Sequence, residues 1–217
     1  MRTIAIGFFL SVSVCTFLQA EDSAKLISQL KSKDPEVRRV AAKELGSLSQ
    51  SDSNAINALL IGLQDKDTFV RRFSAQSLGN FKENTSIIIP ALAAMFNNED
   101  EKKENLNAAA ISLGKLGPAS FETLHTILKD ASKSKAIKEK VIDAIGSLGK
   151  AGKGAVPELM GTLKDNELRF SSAVALGKIG TEAKQAKESL KSIVEDKKER
   201  DKSFKDAASA ALKIIGN

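Results

Sequence analysis

Three Asp–Arg pairs, each spaced four residues apart, are the most regular polar feature of the chain: Asp34 and Arg38, Asp67 and Arg71, Asp165 and Arg169. Each pair brackets the expected start of a helix. An Asp there caps the first turn, and an Arg one turn later reaches either that carboxylate or the Asp of an adjacent unit. The chemistry this spacing supports is structural, a capped and ion-paired helix start, the alternative being contact with a ligand. Little else is equipped to react. Cys15 is the single cysteine and His125 the single histidine, so a thiolate or imidazole metal cluster has no ligand set. A Ser or Cys nucleophile needs a positioned base, and no Gly-x-Ser-x-Gly stands around any serine. The stretch from Gly149 to Gly154 lacks the Lys-Ser/Thr of a phosphate-cradling loop. The remaining carboxylates fall at helix starts and in loops, where capping and solvation account for them. The expectation is a protein without catalytic residues, metal or cofactor, which is not an enzyme and has no small-molecule substrate.

The elements that position these pairs are set by a repeat. Leu45-Gly46, Leu78-Gly79, Leu113-Gly114, Ile145-Gly146, Leu176-Gly177 and Ile215-Gly216 recur with gaps of 31 to 39 residues. Self-similarity at that period marks a stacked array of two-helix units. Each unit reads as helix A, a turn, and helix B ending at the glycine, whose conformational freedom suits a left-handed helix end. The expected pairs of helices are 24–31 with one opening at Asp34-Pro35-Glu36, 56–63 with 69–78, 87–96 with 103–113, 121–128 with 136–148, 156–163 with 167–176, and 183–194 with 204–215. In the first helix B the inward residues are read as Val37, Val40, Ala41, Leu45 and Leu48. Two A–B turns, 97–105 and 129–135, are long. Alanine recurs deep in helix B, which lets neighbouring helices approach closely. Helices this short are not stable alone and must each bury a face on a neighbour. The domain plan is residues 1–20 as a leader and 21–217 as one solenoid, with units near 22–50, 53–82, 86–118, 119–151, 152–180 and 181–217.

The run Asp34-Pro35-Glu36-Val37-Arg38-Arg39-Val40-Ala41-Ala42-Lys43-Glu44-Leu45-Gly46 closely resembles the HEAT repeat in its short bacterial, bilin-lyase-like form. Asp67, Val70, Arg71, Ala75, Leu78 and Gly79 match the same pattern, as do Asp165, Leu168, Arg169, Ala173, Leu176 and Gly177. Lys102 and Leu106 replace both polar positions in the third unit, and the last unit keeps little beyond Ala211, Ile215 and Gly216. The resemblance implies an all-α fold, a right-handed α-α superhelix of about six two-helix repeats. It also implies that Asp34, Arg38, Asp67, Arg71, Asp165 and Arg169 form a structural ladder between successive units. Such repeats serve many unrelated roles, so the resemblance carries fold and not function.

A partner is expected on the inner surface of the B helices. Alignment by the glycines gives a column of positions off the apolar stripe: Arg39 and Lys43, Arg72 and Gln76, Asn107 and Ile111, Glu139 and Asp143, Phe170 and Val174, Ser209 and Lys213. The column runs from basic through polar and acidic to apolar. We read Arg39, Lys43, Arg72, Gln76, Asn107, Ile111, Phe170 and Val174 as a face for a protein or peptide, with Phe170 and Val174 as its anchor, the alternative being that Phe170 packs under the last unit. The net charge of +6 keeps nucleic acid in view as a lesser alternative. Acids interspersed throughout and the absence of Trp and Tyr argue against it. A third reading is a structural or assembly component with no discrete ligand.

The N-terminus sets the expected location. Met1-Arg2 is followed by an apolar stretch, residues 4–18, and then by Gln19-Ala20 before acidic Glu21-Asp22. This has the form of a secretory signal peptide cut after Ala20, and the stretch is shorter than the ~20 residues of a membrane span. The expected location is secreted or periplasmic in a bacterial envelope, with a mature chain that does not span the membrane. An uncleaved N-terminal anchor, or a lipid on Cys15 within Val12-Ser13-Val14-Cys15, is the alternative.

Overall fold

A computed structural model describes residues 21–48, 52–98 and 100–216. The leader, its cut site and Cys15 lie outside the described residues. The described chain is helical, with no strand among those residues. Residues 21–29 are helical (α1). There follow α2 (Pro35–Leu45), α3 (Ser53–Gly62), α4 (Thr68–Leu78), α5 (Thr85–Ala94), α6 (Lys103–Lys115), α7 (Phe121–Lys129), α8 (Lys135–Ser147), α9 (Val156–Thr162), α10 (Arg169–Ile179), α11 (Lys187–Glu195) and α12 (Lys202–Ile215). Odd-numbered helices are the A helices and even-numbered ones the B helices. The chain divides into two compact units, with the boundary between Asn84 and Thr85.

The helix starts follow from capping. Asp34 Oδ1 accepts the Glu36 N–H at 2.9 Å, with Pro35 at the first helical position. Asp52 Oδ1 accepts the N–H groups of Asn54 and Ala55, both at 3.0 Å. Asp201 Oδ1 accepts the Phe204 N–H at 3.0 Å. Each bond satisfies a donor that the first turn leaves without a partner.

In the first unit α2 packs on α4, and α3 packs on α4. In the second, the B helices stack in chain order, α6 on α8, α8 on α10 and α10 on α12, with the A helices laid against them. The core is aliphatic and small: Ala41, Ala42, Leu45, Val70, Ala75 and Leu78 in the first unit, and Leu113, Val141, Ile145, Ala173, Leu176 and Ala211 in the second. Burying such side chains contributes about 25 cal/mol per Å² of apolar area, which holds helices too short to persist alone.

Two expectations require correction. Val40 does not point inward: it is 52% exposed, and the buried positions of α2 are Arg38, Ala41, Ala42 and Leu45. The helix is rotated so that Arg38 takes an inward place, because its charge has a partner there. The Leu-Gly glycines are not left-handed helix ends either. Gly46 and Gly79 have φ of −68° and −63°, and Gly114, Gly146 and Gly177 lie within helices. Their role is close approach. A Cβ built on Gly146 would sit 2.9 Å from Ala175 Cα, and one on Gly177 3.1 Å from Ala211 Cα. The same substitution at Gly46 would place carbon 2.9 Å from Ser77 Cα. At Gly46, Gly146 and Gly177 the periodic glycine is where one B helix touches the next within its unit. The left-handed turns fall three residues later, at Gly117, Gly149 and Gly180, with φ of +78°, +58° and +73°, which glycine adopts without a steric penalty.

Candidate partner-binding face and its ion-pair ladder

The ladder runs between successive repeats rather than within a helix. Arg38 grips Asp65 with two parallel bonds, Nε to Oδ2 and Nη2 to Oδ1, both at 2.8 Å. Its Nη1 donates to the carbonyls of Ser32 and Lys33 at 2.9 and 3.2 Å. Arg39 grips Asp67 in the same forked way, at 2.9 and 2.7 Å, and also pairs with Glu36. In the second unit Lys135 reaches Asp165 at 2.9 Å and Glu167 at 3.1 Å. Arg169 reaches Glu199 at 2.8 Å and Asp201 at 3.2 Å. In each case a cation in the first turn of one B helix meets the loop that opens the next B helix.

Of the two partners the four-residue spacing left open for the Arg, Arg38 and Arg169 take the acids of the adjacent repeat. Asp34 caps α2, while Arg38 goes to Asp65. Asp67 goes to Arg39, and Arg71 Nη1 donates to the carbonyls of Asp65 and Lys66 at 2.9 and 3.3 Å. Asp165 takes Lys135, while Arg169 turns forward to Glu199 and Asp201. The acids that the Asp–Arg spacing missed share a signature. Asp65-Lys66-Asp67, Asp165-Asn166-Glu167 and Glu199-Arg200-Asp201 are acid-x-acid loops. In each, the first carboxylate accepts the N–H two residues on, at 2.8, 2.9 and 2.8 Å. The first acid folds the turn; in the first and third loops, the second acid caps the helix and takes a cation from the previous repeat.

Electrostatics follow the geometry. The hydrogen bond from Arg39 holds the Asp67 carboxyl down at about 2, with burial opposing and the Val70 N–H assisting. Burial pushes the Asp65 carboxyl up, but Arg38 and the Asp67 N–H outweigh it and keep it below the usual range. Asp143 is the opposite case: burial pushes its carboxyl up against the nearby Lys140 ammonium.

The partner-facing column is divided by these bonds. Arg39, read from sequence as free for a partner, is committed to Asp67, with its guanidinium carbon 4.5 Å above the Phe69 ring. Arg72 is stacked on the same ring at 4.8 Å and on Phe73 at 5.3 Å, and its buried Nε has no hydrogen-bond acceptor among the described residues. Such stacking is worth about 0.5–2 kcal/mol and leaves the edge of the Arg72 guanidinium available. Lys43 and Gln76 are exposed, one turn further along α2 and α4. In the second unit Asn107 and Ile111 are exposed on α6, Glu139 and Asp143 are half-buried on α8, and on α10 Phe170 is exposed and Val174 half-buried. Their helical neighbours at 108–110, 141–142 and 171–173 are buried. Phe170 is 48% exposed and Ile111 51%, so the last repeat does not cover Phe170. The buried counterpart is Phe204, under the Arg169 guanidinium at 4.7 Å.

The single histidine is held by local contacts. His125 stacks on Phe121 with ring centroids 5.2 Å apart, and its Nε2 lies 3.2 Å from Glu158 Oε1. Among the described residues no three His, Cys, Asp or Glu side chains converge as metal ligands.

The family model of HEAT repeats matches residues 23–102. No curated protein is matched by the sequence. Among solved structures, the complex of CpcE and CpcF of the phycocyanin lyase from Nostoc sp. PCC7120 is similar over 90% of this chain and 77% of that one, at 23% identity and a TM-score of 0.57. A mutant of Kap121p is similar over 88% of this chain but 23% of its own, at 16% identity and a TM-score of 0.62. An engineered protein is similar over 90% of this chain and 96% of its own, at 22% identity and a TM-score of 0.53. At these identities the likeness is one of fold: all-α, of the HEAT-like α-α superhelix class. Residues 23–102 are thus matched by the HEAT repeats, and the two-helix units beyond them keep the same apolar-Gly register.

Proposed function

We propose that the chain is a non-catalytic, exported scaffold that binds a protein or peptide partner on the solvent face of its B helices. The observation that carries this reading is the placement of large apolar side chains outside the core: Val40 on α2, Phe69 on α4, Ile111 on α6, Phe170 on α10 and Ile214 on α12 are each 39–52% exposed. Ile61 on α3 and Ile87 on α5 are exposed as well, and scattered single apolar residues need no explanation; the recurrence in five of the six B helices, in α4 beside arginines stacked on Phe69, has the composition of an interface core. The ladder also speaks against a nucleic-acid surface, since Arg38, Arg39 and Arg169 are each matched by carboxylates and are not available for phosphates. Export rests on the leader-like residues 1–20.

The test is capture from an envelope extract by the intact exported chain, comparing the wild type with Phe170→Ser and Ile111→Ser. Both side chains are half exposed, so each variant should unfold within about 0.5 kcal/mol of the wild type while losing a stoichiometric partner. Retention of the partner by both variants, or self-association alone, would replace this reading with that of a structural component. N-terminal sequencing of the exported chain should begin at Glu21.

A further inference from the structure

One arginine of the first unit stands outside the ladder. The glycine register places Arg72 on α4 where Arg39 stands on α2, each seven residues before its glycine. Arg39 has a carboxylate to grip, that of Asp67. In the sequence, the residue at Asp67's place one repeat further on is a cation, Lys102. Arg72 makes no hydrogen bond or ion pair with any described residue, and α4 contains two arginines and no acid. The neighbouring acids of the first unit are taken: Asp65 by Arg38, and Asp67 and Glu36 by Arg39. Lys43 and Glu44, adjacent in the last turn of α2, offset one another. The Arg72 guanidinium is nevertheless held in place, its carbon 4.8 Å from the Phe69 ring centroid and 5.3 Å from that of Phe73. The two helices also present open apolar surface: Phe69 is 39% exposed, and Val40, next to Arg39, is 52% exposed.

We infer that Arg72 takes the side-chain carboxylate of an Asp or Glu from a partner peptide, whose apolar residues on either side of that acid cover Phe69 and Val40. This rests on the B helices being the partner face and specifies what the partner brings to it. The buried Nε closes one edge of the guanidinium. The carboxylate therefore meets the two Nη groups end-on, where parallel N–H donors match its two oxygens. The same unit shows the preference, since Arg38 and Arg39 each hold one carboxylate in a two-bond fork. A phosphoryl group carries about two negative charges at neutral pH and would find a single guanidinium free, because Arg38 and Arg39 are occupied. A purely apolar segment would cover Phe69 but strip water from the Arg72 donors without replacing it. An acid flanked by apolar residues satisfies both groups at once. The phenylalanine stack has already restricted the Arg72 rotamers, so less side-chain freedom is lost when the pair forms.

The experiment titrates the full chain, labelled with ¹⁵N, with acetyl-Gly-Leu-Ile-Glu-Leu-Val-Gly-amide, whose blocked ends leave the Glu as its one charge. Three companions carry Gln in place of the Glu, phosphoserine in place of the Glu, or Ser at the four apolar positions. Saturable shifts are expected at residues around 40–43 and 69–76. The Gln peptide should bind about fivefold more weakly than the Glu peptide, the size of one partly exposed ion pair. The Ser peptide should bind at least about tenfold more weakly through the lost apolar contact, and the phosphoserine peptide no more tightly than the Glu peptide. Arg72→Gln, which removes no hydrogen bond of the fold, should bind the Glu and Gln peptides equally. Arg72→Lys, which keeps the charge without the planar fork, should retain part of the preference. Equal binding of the Glu and Gln peptides by the wild type, an undiminished preference in Arg72→Gln, tighter binding of the phosphoserine peptide, or the absence of saturable shifts at these residues overturns the inference. The wider reading of the B-helix face is decided separately, by capture with the Phe170→Ser and Ile111→Ser variants.

Discussion

Replacing Gly146 by alanine tests whether the periodic glycine exists for helix contact. Two effects compete. Gly146 lies inside α8, so alanine gains about 1 kcal/mol of helix propensity. Against this, the new Cβ falls 2.9 Å from Ala175 Cα and 3.0 Å from Ala175 Cβ, where carbon atoms prefer ~3.5–4.0 Å. The obstacle is mostly the backbone of α10, so relief requires α8 and α10 to separate, and overpacking of this kind costs about 1–3 kcal/mol. The internal control is Gly161→Ala in α9, where a Cβ meets nothing within 4 Å and the propensity gain stands alone. The two variants should therefore differ by about 1–3 kcal/mol, with Gly161→Ala above the wild type and Gly146→Ala at or below it. At about 2–4 °C per kcal/mol for a chain of this size, thermal melts followed by circular dichroism should separate them by about 2–12 °C. If Gly146→Ala raises the melting temperature as much as Gly161→Ala does, the close-approach argument is wrong.

The ladder makes two further predictions. Asp67 has its carboxyl held at about 2 by Arg39, below its value of ~3.9 when unfolded. A depressed folded value means that its stabilisation is fully present above about pH 4 and is lost as the pH falls towards 2. Urea titrations of the wild type should lose stability through that window, and Asp67→Asn should flatten part of the slope; an unchanged slope would show that the pair does not form in solution. Arg38→Ala removes the 5% exposed partner of Asp65 and leaves a half-buried carboxylate behind, at an expected cost of about 2–4 kcal/mol. Adding Asp65→Asn should recover part of that loss in a double-mutant cycle, and simple additivity of the two variants would refute the pairing.

The two-helix period, the caps and the approximate helix ends were legible in the sequence because they are local. Asp34 bonds an N–H two residues away, and the spacing of apolar residues around Leu45 or Leu176 reports one face of one helix. The loop acids also left a local trace, acid-x-acid, while the Asp–Arg spacing left open whether each Arg pairs within its own repeat or with the next. Arg38 and Asp65 stand 27 residues apart, and only the stacking of α2 on α4 brings them within 2.8 Å.

What the sequence determined by itself was a repeating array of two-helix units, since that requires only composition and periodicity. Tertiary structure alone decided which charges meet, why a glycine recurs and which apolar residues stay outside. Val40 shows the reason: hydrophobicity predicts burial residue by residue, but a helix turns about its axis to satisfy its most demanding group. In α2 that group is a guanidinium whose acceptor belongs to the next repeat. Such a choice is settled by the free energy of two packed elements together, and neither segment encodes it alone.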